Sequence, residues 1–291
     1  MDKLISVIMS TFNETNEDLR CSIESILNQT YNNFELLIVD DNPNNSELAN
    51  CLSGITDSRV RIIYNKENIG LVNSLNIALK VCKGQYIARM DADDISLKNR
   101  LQEQLYFLEA GNYDMVGSSI EMIDENGYHI KNEYIPNNSN ILVHKLKIKN
   151  ILPHPTWFCR KELYDDLNGY RNVPGCEDYD FILRAIKARY KIGGVHTILL
   201  KYRIIANGIT QSHYSEQYVL SKYLRKAIGN NMPIENIEHY IKSLDYLNSV
   251  SAYKEFKQAK DNLKSGSFNC ADILKVISNE YIFELLKDKF F

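Results

Sequence analysis

Short apolar runs that alternate with helical patterns in the first part of the chain constrain the fold most strongly. Strands are predicted at Leu4–Met9, Glu35–Val39, Val60–Tyr64 and Tyr86–Met90. Between them, apolar side chains recur at helical spacing over residues 17–28 and 71–81, and Ser96 is a candidate N-cap for a helix to about Ala110. This β-α-β-α order predicts a mainly parallel, doubly wound α/β sheet flanked by helices.

The alternation is looser after about residue 114, and the end of the chain has the pattern of helices alone. Further strands are predicted at Met115–Ile123, Thr156–Arg160 and Ile198–Ile205, and helices at Asn140–Asn150 and Glu177–Tyr190. From about Ser215 onward only helices are expected, with breaks near residues 230–233 and 265–267. We therefore predict an α/β domain over residues 1–212 and a helical C-terminal region over residues 213–291.

The residues that follow the first four predicted strands are polar and include acids, at the edge of the sheet where ligands bind in open α/β folds. Asp91, Asp93 and Asp94 follow the fourth strand, and three carboxylates so close would repel one another in a low-dielectric cleft. A divalent cation would offset that repulsion, and hard oxygen ligands suit Mg²⁺ or Mn²⁺. The alternative is a solvated loop in which Asp94 or Ser96 caps the next helix.

Two further acidic pairs are candidates because of their positions. Asp40 and Asp41 either serve turn chemistry or accept hydrogen bonds from a base or a ribose. Glu177 and Asp178 open a predicted helix, where acids complement the helix dipole. Asp178 could also point into a cleft and act as a general base, since a helix N-terminus favours the carboxylate form. From the residues alone, both interpretations of each pair stay open.

Composition narrows the class of protein. The chain has 34 Lys+Arg and 37 Asp+Glu, so it lacks the positive field that is typical of nucleic-acid binders. Its six cysteines are scattered without a CxxC pair, which is typical of free thiols in a reducing compartment. The apolar run Leu4–Met9 is too short for a signal peptide, and no run approaches a membrane span. We expect a cytoplasmic protein, soluble or peripheral on the inner face of the cell membrane, with no nucleic-acid partner.

Together these segments resemble the family 2 glycosyltransferases, inverting enzymes with the GT-A fold. The matching segments are LISVIMSTFNE (4–14), SIESILNQTYNNFELLIVDD (22–41), NIGLVNSLNIAL (68–79), GQYIARMDADDIS (84–96) with Arg100 and Gln104, and GYRNVPGCEDYDFILR (169–184). The resemblance covers about residues 3–210, and the order and spacing of its motifs make it specific. Within the family, the chain resembles the short bacterial members of the capsule or O-antigen type.

The resemblance implies a UDP-sugar donor, a Mn²⁺ or Mg²⁺ ion and a role for each matching residue. Thr11, Glu14 and Asp41 would hold the uridine, with Asp41 facing the uracil. Asp91 would contact the ribose or the sugar, and Asp94 would help position the donor sugar. The implied donor-binding set is Thr11, Glu14, Asp41, Asn68, Asp91 and Asp94. The implied metal-binding set is Asp93, Asp91 and His213.

The resemblance also implies that catalysis rests on Asp178 and Glu177. Asp178 would be the general base that removes a proton from an acceptor hydroxyl, and Glu177 would be its neighbour on the acceptor side. The acceptor oxygen would attack the anomeric carbon opposite the departing UDP and so invert its configuration. The metal and nearby dipoles would stabilise the charge that grows on the diphosphate. His154 is a further candidate, for lining the acceptor site.

Two features limit the expected substrate and partners. The Q-x-x-R-W motif of processive synthases is absent, and no membrane span is predicted, so we expect transfer of a single sugar. The members that the chain resembles usually act on saccharides linked to a lipid diphosphate. Aromatic and basic residues lie together over residues 218–226. This pattern is compatible with a peripheral membrane contact, but it favours a helical cap on the catalytic domain or a homodimer surface.

Other classes of protein fit the motifs less well. A nucleotidyltransferase would need a Gly-rich, basic first loop, where this chain has STFNE, and a haloacid-dehalogenase-type phosphatase carries D-x-D after its first strand. A Rossmann dehydrogenase would need G-x-G-x-x-G, which is absent. A catalytically inactive GT-A-like subunit that binds a sugar or a nucleotide remains the alternative. The presence of both Asp93 and Asp178 weakens it.

Overall fold

The computed structural model describes residues 3–205, 214–229, 234–265, 267 and 269–278. The chain forms two compact units. One unit comprises Met1–Asn172 and Glu177–Gly208, and the other comprises Val173–Cys176 and Ile209–Phe291. Within the described residues, no helix combines the length and the apolar character that crossing a membrane requires.

The first unit is built on one mixed sheet, which has nine strands among the described residues. The strands are β1 (Ile5–Thr11), β2 (Phe34–Asp40), β3 (Val60–Tyr64), β4 (Tyr86–Asp91), β5 (Ile95–Ser96), β6 (Met115–Ile123), β7 (His129–Glu133), β8 (Phe158–Arg160) and β9 (Ile192–Arg203). Their order is β3-β2-β1-β4-β8-β6-β9-β5, and β7 also pairs with β6.

Helices cover both faces of this sheet. They are α1 (Asn16–Leu27), α2 (Ser46–Ser53), α3 (Leu71–Val81), α4 (Arg100–Ala110), α5 (Ser139–Leu146), α6 (Lys161–Asp166) and α7 (Glu177–Lys187), with a short 3₁₀ helix at His154–Thr156. Side-chain caps fix the starts of several helices. For example, the Thr15 side chain accepts a hydrogen bond from the N–H of Asp18 and so begins α1.

Strands β1 to β4 form the parallel half of the sheet. β1 runs parallel to β2 and β4, and β2 runs parallel to β3. Alternate residues of β1 face opposite layers: Val7 and Met9 pack in the core with α1 and α4, whereas Ile8 packs in the core with α3. The predicted doubly wound arrangement is therefore confirmed. The register also brings strand ends together, because Thr11 lies beside Asp40 and Ser10 lies beside Asp91.

The second half of the sheet mixes strand directions, which the sequence pattern does not specify. β8 runs antiparallel to both β4 and β6, and β6 runs parallel to β9. β5 and β7 are short antiparallel additions, β5 against β9 and β7 against β6. β9 begins at Ile192, earlier than the predicted Ile198, and it ends at Arg203 close to the acidic residues that follow β4. The mixed half thus supplies a second wall beside the parallel strand ends.

The described residues of the second unit from residue 214 onward lie mainly in helices, as predicted for the C-terminal region. Its helices are α8 (Tyr214–Gly229), α9 (Ile234–Ile241), α10 (Leu244–Ser265) and α11 (Cys270–Ser278). Tyrosine rings join them: the centroids of Tyr218 and Tyr253 are 4.0 Å apart, and those of Tyr223 and Tyr240 are 3.8 Å apart. Aromatic stacking therefore contributes to the core of this unit.

Candidate active site

The acidic loop, residues 91–94, gathers three carboxylates at the end of β4. One oxygen from each of Asp91, Asp93 and Asp94 lies within 4.8 Å of the others. Burial, and then the charge of Asp91, raises the pKa of Asp93 to about 7. The same two causes hold the pKa of Asp94, which is 1% exposed, well above its usual range. Without a cation, the loop therefore disfavours the ionised forms of Asp93 and Asp94.

This set of oxygen atoms fits a hard divalent cation. Asp94 Oδ1 accepts a hydrogen bond from the N–H of Arg203 at 2.8 Å, but its buried Oδ2 has no hydrogen-bond partner among the described residues. An unpaired buried oxygen is costly, and an ion held by Asp93 and Asp94 would satisfy it. Carboxylate oxygens are the ligands that Mg²⁺ and Mn²⁺ prefer. Of the three predicted metal ligands, Asp93 and Asp91 lie in the acidic loop, and His213 lies outside the described residues.

Arg89 is the central cation of this site, a role that the sequence motifs do not indicate. It is an interior residue of β4, is 2% exposed, and forms an ion pair with the carboxylate of Asp91. Its Nε has no hydrogen-bond partner in the part of the chain that the structure describes. A charged residue inside an otherwise apolar strand is the sequence signal that could have identified it. Because Arg89 engages Asp91, the carboxylates of Asp93 and Asp94 are the better placed to hold a metal.

Helix α7 begins with the predicted catalytic pair, Glu177 and Asp178. Burial, and then the charge of Asp178, raises the pKa of Glu177 to about 7, and burial raises the pKa of Asp178 to about 6. Asn150 Nδ2 donates to Asp178 Oδ2 at 2.7 Å, and the N–H of Tyr179 donates to Asp178 Oδ1 at 2.6 Å. The charge of Asp91 also raises the pKa of Glu177. The acids of β4 and those of α7 therefore act on one another in a single site.

Thr11 and Glu14 form a tight turn at the end of β1. Thr11 Oγ1 donates to Glu14 Oε2 at 2.6 Å, and the N–H of Phe12 donates to the same oxygen at 2.8 Å. After burial and Asp91, the charge of Glu14 is the next cause of the raised pKa of Asp93. The turn thus lies close enough to the acidic loop to influence it.

Asp41, which follows β2, holds the loop that precedes α3. Its Oδ1 accepts from Asn65 Nδ2 at 2.8 Å and from the N–H of Ile69 at 2.9 Å, and its Oδ2 accepts from the N–H of Gly70 at 2.8 Å. Gly70 has a φ of +82°, which favours glycine. The exposed Asn68 also accepts from this N–H through Oδ1, at 3.0 Å. Asp41 has a structural role, yet its carboxylate can accept a further hydrogen bond at Oδ2.

His154 lies in an aromatic core. It is 9% exposed, and its Nε2 is 2.8 Å from the hydroxyl oxygen of Tyr170. Burial, followed by the charge of Arg89, lowers the pKa of His154 well below its usual range, so the imidazole is neutral. The neighbouring Trp157 has no exposed surface. The role of His154 at the acceptor site stays a prediction.

A family model described as Glycosyl transferase family 2 matches residues 6–167. The O-antigen biosynthesis glycosyltransferase WbnJ of Escherichia coli is 36% identical over 250 residues, which are 83% of this chain and 96% of WbnJ. The chain therefore belongs to glycosyltransferase family 2. The predicted family and the predicted class of enzyme, a glycosyltransferase, are both confirmed.

Solved structures show the same fold at low identity. S. aureus TarS 1-349 in complex with UDP-GlcNAc matches with a TM-score of 0.63 and 19% identity, over 94% of this chain and 79% of that chain. The mannosyltransferase PcManGT from Pyrobaculum calidifontis, in complex with GDP-Man and Mn²⁺, matches with a TM-score of 0.60 and 15% identity, over 98% of this chain and 87% of that chain. These matches confirm the predicted GT-A fold.

Proposed function

We propose that this glycosyltransferase transfers one sugar from a UDP-sugar to a hydroxyl of a saccharide acceptor, with inversion and with a divalent metal, in the synthesis of a bacterial surface polysaccharide. The observation that carries the proposal is the placement of two acidic groups in one site, the acidic loop on β4 and the Glu177–Asp178 pair on α7. The name of WbnJ supports the pathway, and the UDP-GlcNAc complex of TarS supports the donor class.

The donor would lie across the ends of β1, β2 and β4. Asp93 and Asp94 would hold Mn²⁺ or Mg²⁺, while Asp91 stays paired with Arg89 and faces the ribose or the sugar. The free acceptor capacity at Asp41 Oδ2 would receive the N–H of the uracil. Thr11, Glu14 and Asn68 would complete the donor site. When bound, the ion would supply positive charge for the diphosphate as it leaves.

Asp178 would act as the general base. With a pKa of about 6 it is mostly ionised at neutral pH, and it is more basic than an ordinary aspartate, so it can accept a proton more readily. The hydrogen bonds from Asn150 and Tyr179 fix the orientation of its carboxylate. The acceptor oxygen, as it loses its proton to Asp178, forms a bond to the anomeric carbon. The bond from that carbon to the diphosphate oxygen breaks on the opposite side, and the electron pair leaves with UDP.

We further propose that residues 1–212 carry catalysis and that residues 213–291 contact the membrane, the acceptor or a second copy of the chain. The acceptor would be a saccharide on a lipid diphosphate at the cytoplasmic face of the membrane. Exposed apolar side chains of the second unit support such a contact: Leu244 is 75%, Leu247 is 56% and Leu274 is 66% exposed. Flotation with vesicles of anionic lipid tests the membrane role, and a chain that stays at the bottom of the gradient would argue against it.

Titration calorimetry of UDP and GDP, with Mn²⁺ and with EDTA, tests the donor site. We expect UDP to bind only with Mn²⁺, and Asp93→Asn to weaken that binding by about tenfold or more, as loss of a metal ligand should. Asp165→Asn is the matched control, because Asp165 is a 58% exposed acid on α6 that pairs with Lys161. Equal UDP binding in EDTA would contradict the metal site, and tighter binding of GDP would change the donor class.

A further inference from the structure

Arg203, the last residue of β9, makes two contacts to the acidic loop. Its N–H donates to Asp94 Oδ1 at 2.8 Å, and its Nε donates to the carbonyl oxygen of Asp93 at 2.9 Å. Its side chain is only 6% exposed. The guanidinium therefore holds the main chain of Asp93 and leaves the carboxylate of Asp93 free of this contact.

The rest of the guanidinium ties this loop to two other segments. Nη1 donates to the carbonyl oxygens of Asp124 at 3.3 Å and Glu125 at 2.9 Å, in the turn between β6 and β7. Nη2 pairs with Asp18 Oδ1 at 3.1 Å, in the first turn of α1. All three side-chain nitrogens of Arg203 are thus engaged, and each bonds a different segment. The planar guanidinium holds donors on three separate nitrogens, whereas a lysine presents all of its donors from one nitrogen and does not reach the same three positions.

These contacts stabilise a loop whose own carboxylates repel one another. Three close carboxylates repel one another, so an unsupported loop would separate them and would have to be reordered by an arriving ion. A cation bonded to the main chain between two of these acids offsets the repulsion without occupying their outward oxygens. Asp94 Oδ2 keeps no hydrogen-bond partner among the described residues, which is consistent with an oxygen reserved for a ligand.

We propose that Arg203 is a positioning residue that holds Asp93 and Asp94 in the geometry that binds the metal. This inference rests on the proposed function, in which those two carboxylates hold the ion. Arg203 touches neither substrate in this account, and its effect passes through the acidic loop. Groups that support metal ligands in this way typically alter metal affinity by about 10- to 100-fold when they are removed.

Electron paramagnetic resonance of free Mn²⁺ tests the inference, with the full chain and with UDP present and absent. We expect Arg203→Gln to raise the Mn²⁺ Kd by about tenfold or more. Arg203→Lys should give an intermediate Kd, because it keeps the positive charge but loses the separate donor nitrogens of the guanidinium. Arg160→Gln is the matched control. Arg160 Nε donates to the carbonyl oxygen of Tyr113 at 3.0 Å, and Nη2 pairs with Glu109 at 2.8 Å, but Arg160 lies at the opposite end of β4 from the acidic loop.

The outcomes separate this inference from the proposed function. If the wild type binds Mn²⁺ and Arg203→Gln binds it equally well, the inference is wrong and the metal site stands. Equal losses in Arg203→Gln and Arg160→Gln would reduce Arg203 to a general stabiliser and would also overturn it. If the wild type binds no Mn²⁺ in either condition, the proposed metal site itself fails. Should Arg203→Gln not fold, Arg203→Lys carries the test, with a Kd above that of Arg160→Gln as the criterion.

Discussion

Removing the amide of Asn150 should move the pH dependence of this enzyme. Asn150 Nδ2 donates to Asp178 Oδ2 at 2.7 Å and stabilises the charged carboxylate. A hydrogen bond to a charged group contributes about 1.5–3 kcal/mol. One pKa unit corresponds to about 1.4 kcal/mol, so loss of this bond is worth about 1–2 units, and water that enters the gap reduces the shift to about 1. We expect Asn150→Ala to raise the pKa of Asp178 from about 6 to about 7.

The assay is the pH profile of kcat/KM for UDP release, in which the acid limb reports the base of the free enzyme. Asn150→Ala should move this limb to higher pH by about one unit and recover most of its activity in alkaline buffer. Asn150→Asp should move it further, because it adds a negative charge beside Asp178. Asn140→Ala, at an exposed position of α5, is the control. An unmoved acid limb with uniformly lower activity would refute the role of Asp178 as the base.

Two further predictions concern stability. The metal-free protein should melt at lower temperature as the pH rises from about 5 to about 7.5, because Asp93 and Asp178 have pKa values of about 7 and about 6 when folded and ordinary values when unfolded. Scanning fluorimetry at constant ionic strength measures this, and a melting temperature that rises over the window would contradict it. Gly84→Ala should lose at least ~2 kcal/mol in urea unfolding, since its Cβ would lie 2.5 Å from the nitrogen of Ser6. Gly127→Ala, with open space but a φ of +85°, should lose about 1 kcal/mol, and equal losses would refute the steric argument.

The parallel half of the fold could be predicted because each of its strands is a short, mostly apolar run, although β3 has no fully buried residue. β1 and β2 are buried on both faces, which is why their sequences are largely apolar rather than alternating between apolar and polar residues. β7 could not be found in this way, since all five of its residues are exposed and its strand conformation comes from pairing with β6. The early start of β9 was missed because Gly193 and Gly194 weaken the strand pattern. At Gly193, an added Cβ would lie within 3 Å of the ring of Tyr113, so tertiary packing favours glycine there.

Some residues of the site could likewise be identified from the sequence, and others could not. The acids could be identified from sequence because they follow strands and cluster along the chain, as Asp91, Asp93 and Asp94 do. The cations that support them could not, because their partners are remote in sequence. Arg203 is 109 residues from Asp94, and no local pattern joins the two. Arg89 is detectable in principle as a charged residue in an apolar strand. The lowering effect of its charge on the pKa values of Glu177 and Asp178, however, can be recognised only in the folded chain.

Release of UDP from a UDP-sugar donor is the direct test of whether this protein transfers a sugar. Purified protein, Mn²⁺ and a lipid-linked saccharide extract would be incubated with each of a panel of UDP-sugars, with EDTA as the control, and UDP would be quantified together with the anomeric configuration of the product. We expect metal-dependent release from at least one donor, with an inverted anomer in the product. Metal-dependent binding of UDP without release from any donor would contradict catalysis and would favour an inactive binding subunit. A retained anomer would contradict the single-displacement role of Asp178.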